Sequence, residues 1–130
     1  MNWLAIILAA IANMVVGFLW YGTWAFGRSW MQLSGRAMGE GQQTGPLYAL
    51  TAVAAIVEAI TMWWFIGQTG ANSGAAGAII GLYIGLGFVA TAMFAEVIFA
   101  GRPPRLYAIT AGYQVLAAVV QGAIIGFLGT

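Results

Sequence analysis

Cysteine, histidine, aspartate and lysine are all missing from this sequence. Without cysteine there are no disulfides, thiolate metal sites or thiol nucleophiles. Without the others, a His/Cys metal cluster, a Ser-His-Asp triad, a Lys Schiff base and a P-loop have no residues to build from. The expectation is a protein that is not an enzyme and holds no metal or cofactor. Charge of either sign is nearly as scarce. Four arginines and three glutamates make 5% of 130 residues, where a soluble domain carries about 25%. So few charges cannot make a surface that water tolerates, nor the basic stripe that holds nucleic acid, so no nucleic-acid partner is expected.

What the chain has instead is apolar bulk, 62% of its residues. A helix needs about 20 mostly apolar residues to cross a bilayer. Four windows qualify: roughly residues 3–24, 47–66, 75–99 and 106–128. They are continuous runs without the in-and-out alternation of a membrane barrel, and a helix satisfies its own backbone in lipid. The fold class is therefore an all-α integral membrane protein, one domain over residues 1–130, with the lipid bilayer as solvent. No basic residue precedes the first apolar run, so it reads as a retained span and not as a cleavable signal. The loop at residues 25–46 is Gly-rich and polar from Ser34 to Pro46, and the stretch from Trp20 to Leu33 can bend into an interfacial helix before it. Gly67 to Gly74 makes a short uncharged turn, and Pro103-Pro104 stops the third helix within the loop at 100–105.

The arginines orient the spans. Arg28 and Arg36 lie between the first two, Arg102 and Arg105 between the last two. Under the positive-inside rule these loops are cytoplasmic and both termini lie outside, in a bacterial inner membrane. Trp20, Tyr21, Trp24, Trp30, Tyr48 and Tyr107 fall near the cytoplasmic boundary, and Trp3, Trp63 and Trp64 near the outer one, as interfacial anchors do. Trp20 to Trp24 also admits a reading as a ligand-stacking wall.

Leu47-Tyr48-Ala49-Leu50-Thr51-Ala52 opens the second span and Leu106-Tyr107-Ala108-Ile109-Thr110-Ala111 the fourth. The match, with a weaker echo of Gly17-Phe18-Leu19 in Gly87-Phe88-Val89, predicts two tandem helical hairpins related by an axis along the membrane normal. Superposing Thr51 on Thr110 sets Ala55 opposite Gln114, Glu58 opposite Ala117 and Met62 opposite Gln121. That spacing is one helix face, expected to point into the bundle.

Glu58 lies eleven residues beyond Leu47, roughly 16 Å deep and so near the middle of a ~30 Å hydrocarbon core. Asn13 reaches a similar depth along the first span. A charged midplane residue costs about 2.5–3.5 kcal/mol on insertion scales, and no arginine falls within a span to pair with it. Two readings stand. In one, Glu58 binds and releases a proton or a cationic solute, with Asn13, Gln114 and Gln121 as the polar lining. In the other, the four side chains are interhelical hydrogen-bonding glue. Glu96, one turn from the cytoplasmic end of the third span, is expected to pair with Arg102 and Arg105, and Glu40 to be solvated in a loop.

Gly77, Gly81 and Gly85 repeat every four residues on the third span, continued by Ala92 and Glu96, and Ala118, Gly122 and Gly126 do so on the fourth. Such stripes let helix backbones approach in lipid. Four helices do not obviously use up two of them, so one is expected to serve a contact between subunits.

The order of these features resembles a family of small bacterial membrane proteins, domain of unknown function 1761. The carrying residues are Val16-Gly17-Phe18-Leu19-Trp20-Tyr21-Gly22, Phe26-Gly27-Arg28, Trp30-Met31, the acidic second span at Glu58, and Phe99-Ala100-Gly101-Arg102. The sequence departs from the family pattern at Thr23-Trp24-Ala25, where a proline-containing segment is expected. The resemblance implies four membrane spans and no known activity. Two roles follow from the residues: an oligomeric, transporter-like protein moving a proton, ion or small solute past Glu58, or a non-catalytic accessory subunit packed against a larger membrane complex. A lipid-modifying enzyme is disfavoured, because its site would need convergent titratable groups and Glu58 and Glu96 lie at different depths.

Overall fold

The computed structural model describes residues 1–22, 25–34 and 44–130, and among these it is helical with no strand. Four stretches are long and apolar enough to cross a membrane: Trp3–Trp20, Tyr48–Thr69, Gly74–Phe99 and Pro104–Leu128. The first is helix α1 (Trp3–Trp20), capped by Asn2, whose side chain accepts the Ala5 amide at 3.2 Å. Helix α2 (Gly27–Ser34) is the short helix anticipated before the loop. Helix α3 (Thr44–Thr69) carries the second span. It ends at Gly70, whose φ of 71° is the left-handed terminator that only glycine adopts without strain.

The third span is segmented. Helix α4 (Gly74–Ile84) starts from Ser73, whose hydroxyl accepts the Ala76 amide. It runs into a π-helical segment (Gly85–Ala90) and the short helices α5 (Thr91–Met93) and α6 (Ala95–Phe99). Helix α7 (Pro104–Leu128) follows, with proline in its first turn, where its missing amide costs nothing.

Some bounds differ from those expected. The first helix stops at Trp20, not residue 24, because the chain turns back on itself: the Phe26 amide binds the Trp20 carbonyl and the Gly27 amide that of Gly22. The α3–α4 turn shrinks to residues 70–73, and α7 begins inside the expected 100–105 loop. Arg36, Glu40 and Trp24 lie outside the described residues.

Successive spans pack as pairs, α1 on α3 and the third span along α7. Helix α7 also lies against α1 and is the centre of the arrangement, while α3 and α4 barely meet. The core sets alanines beside a few isoleucines: Ala5, Ala9 and Ile6 on α1 with Ala55, Ala59 and Ile66 on α3. Alanine lets helices approach where lipid gives no hydrophobic drive.

The closest approach is between the two glycine stripes. A Cβ on Gly77 would sit on the Gly122 carbonyl, one on Gly81 on the Ala118 carbonyl, and one on Gly126 on the Ser73 carbonyl. Both stripes are thus consumed against each other within one chain. The glycines expected to leave one stripe for a contact between subunits are all engaged between the third and fourth spans. The stripe does not continue to Ala92 and Glu96. The π-helical segment shifts the helix phase, and both residues are exposed.

Candidate functional site

Two groups of amides and hydroxyls join the spans at mid-depth. In the first, Asn13 on α1, 4% exposed, donates its Nδ2 to Glu58 Oε2 on α3 at 2.6 Å. The Tyr113 hydroxyl on α7 donates to Asn13 Oδ1. Three helices are thereby tied together at mid-depth. In the second, Gln121, 1% exposed, donates from Nε2 to the Ala9 carbonyl at 3.4 Å, joining α7 to α1.

Tyr113 was not among the residues singled out by sequence. Its signal was its depth: a phenol nine residues into a span cannot reach a headgroup and must find a partner inside. The Gly17–Gly22 motif is built around it. Gly17 leaves room for the Tyr113 ring, since a Cβ there would lie 3.2 Å from Cε1. Tyr21 meets the same ring edge-on at 5.5 Å. Trp20 donates its indole N–H to the Ile109 carbonyl at 2.9 Å, and Gly112 clears space for that indole. Trp20 is therefore a contact between spans and not only an interfacial anchor. Tyr107 is the same case: its hydroxyl binds the Ala90 carbonyl at 2.7 Å.

Where α3 and the third span diverge, a half-open cleft of about 190 Å³ remains, with α7 as its floor. Its polar lining is Glu58, Thr61, Gln114 and Gln121, so three of the four residues expected to form a midplane cluster share it. The fourth, Asn13, reaches it through Glu58. The expected inward face of α3 holds at Ala55 and Met62, which are buried, but Glu58 sits at its margin and is exposed to the cleft. Among the described residues Oε1 of Glu58 accepts no hydrogen bond, Gln114 makes none, and no arginine lies within ion-pair distance of Glu58.

The far wall is the start of the π-helical segment. Ile84 and Val89 both line the cleft. Five residues apart on an α-helix, they would point about 140° away from each other. The i→i+5 turn brings them to one side. Thr91 Oγ1 stabilises the segment by donating to the Leu86 carbonyl five residues back, at 2.8 Å. Such π segments are frequent at functional sites.

Glu96 pairs with Arg102, Nε to Oε2 at 3.5 Å, with both side chains more than half exposed. Arg105 joins no ion pair among the described residues, because Arg102 follows the turn at Gly101 (φ 67°) while Arg105 has already entered α7. An exposed pair of this kind contributes little.

No curated protein and no solved structure matches the chain. One family does, described as protein of unknown function (DUF1761), and its match runs over residues 4–126. With nearly the whole chain covered, including the Gly17–Gly22 motif, Glu58 and both glycine stripes, this four-span protein belongs to the DUF1761 family.

Proposed function

We propose that the protein carries a proton or a small cationic solute across the membrane by way of Glu58. The carrying observation is that this midplane carboxyl lines a cleft with one oxygen held by Asn13 and, among the described residues, no hydrogen bond to the other and no cation in reach. Packing glue accounts for Asn13 and Tyr113 and for the amide nitrogen of Gln121, which are spent on other helices. It does not account for Glu58 and Gln114, which keep hydrogen-bonding capacity turned to open space. An intramembrane ionisable residue lining a cavity is the usual mark of an ion or substrate path.

A half-open cleft lacks a cover on its open side, so we take the working unit to be a homo-oligomer. By the arginine pattern we assign it to the bacterial inner membrane, with both termini outside. The alternative role, an accessory subunit docking through a glycine face, loses its docking surface, since both stripes are buried within the chain. The test is reconstitution in liposomes. Wild-type protein of defined oligomeric mass is expected to pass protons or small cations above the rate of empty vesicles, and Glu58→Gln to return to that rate. Equal flux in the two, or none in either, refutes the proposal.

A further inference from the structure

Accepting the reading of Glu58 as the carrying group, we infer that the cleft is shaped for a primary or secondary ammonium with an apolar body, and not for an inorganic cation. The inference rests on how few oxygens the site offers and on what surrounds them. A hard cation takes about six oxygen ligands in close contact. Here the side chains of Glu58, Gln114, Gln121 and Thr61 offer one open oxygen each, four in all. The last two can only accept, since the Gln121 amide nitrogen is committed to Ala9 and the Thr61 hydroxyl donates to the Val57 carbonyl at 2.9 Å. The remaining lining is Val57, Met62, Ile84, Val89 and Ala118, which offers an ion nothing and an alkyl or aryl group a full set of contacts.

The form of the cation follows from a second feature. Quaternary ammonium ions are recognised by aromatic faces, and the lining contains no aromatic residue. An N–H-bearing ammonium is different. It donates one hydrogen bond to Glu58 Oε1 and a second to the Gln114 amide oxygen, and the Gln121 and Thr61 oxygens can accept the remaining N–H of a primary ammonium. The volume sets the size of the body. About 190 Å³ is about six times the ≈ 30 Å³ share of a water in the liquid, room for one ring or a short branched chain beside the ammonium.

The test uses 2-phenylethylammonium as the probe, in equilibrium dialysis against purified protein in detergent micelles. Saturable binding of one probe per chain is expected. Glu58→Gln should weaken it by about tenfold or more, while Glu58→Asp retains part of it. Val89→Trp, which leaves the carboxyl untouched and fills the cleft, should abolish it, and all three variants are checked for wild-type elution in gel filtration. Neutral 2-phenylethanol and benzyltrimethylammonium should bind at least about tenfold more weakly, and excess potassium should not displace the probe. Equal binding by wild type and Glu58→Gln, displacement by potassium, or equal binding of the quaternary ion overturns the inference, as does no saturable binding by folded wild type. The outcomes separate from those of transport. Proton flux without amine binding refutes this inference alone, whereas amine binding without flux refutes the transport reading and leaves the site.

Discussion

At the scale of single residues, the spans hold one carboxyl whose partners do not exhaust it. Glu58 was legible in the sequence from its depth and from the lack of an intramembrane arginine. What the sequence did not reveal was the order of the contacts around it. Asn13 lies between Glu58 and Tyr113, accepting from one and donating to the other, so the phenol acts on the carboxyl through the amide. Helix periodicity assigns faces, and these two bonds depend on how α1, α3 and α7 are rotated against one another. Tyr113→Phe keeps the ring that Gly17 and Tyr21 pack against and removes only the donor. It is expected to destabilise the protein by about 0.6 kcal/mol and by no more than about 1.7, the average and the maximum for hydrogen bonds between membrane helices. Thermal unfolding in detergent checks this. Tyr113→Leu should cost more, because it also empties the space that the motif is built around.

At the scale of elements, the helix pairs were readable and their contacts only partly so. Continuous apolar runs and Gly/Pro punctuation predict four spans, and the first two and the last two do pack as pairs. The glycine stripes were visible as patterns, but a stripe names no partner. That the third span meets the fourth becomes clear only when each glycine is seen to lie against a carbonyl of the other helix. The π-helical segment gave no periodic signal, since one extra residue per turn over six residues is too short to register, yet it decides that Ile84 and Val89 share a side. The apparent repeat also diverges in use: Gly17 is filled against Tyr113, while its counterpart Gly87 faces open space. Gly77→Ala and Gly81→Ala are expected to lower stability by about 1–3 kcal/mol each, as overpacking against backbone does. Gly87→Ala should stay within about 0.5 kcal/mol of wild type. Melting curves of the three purified variants decide it; equal losses would mean that the stripes do not meet.

At the scale of the whole molecule, the scarcity of charge becomes an arrangement. Two arginines flank the third-to-fourth connection, where Arg102 meets Glu96, and Arg28 opens α2. If these loops are cytoplasmic, a cysteine at Ser73, at the opposite end of the bundle, should react with an impermeant thiol reagent added outside intact cells. Reaction only after the membrane is opened would reverse the topology. The chain has no native cysteine, so the background is clean. The same chemistry reaches the central claim, that the Glu58 cleft is an accessible polar site and not sealed packing. Cysteines placed at Thr61 and Gln114, on facing helices of the cleft, report whether water enters, because a thiol reacts as its thiolate and thiolates form in water. In reconstituted protein both positions are expected to react with a hydrophilic thiol reagent, while a cysteine at the buried Ala59 does not. Failure of both cleft positions to react, in protein whose Ser73→Cys variant labels fully, would contradict the account.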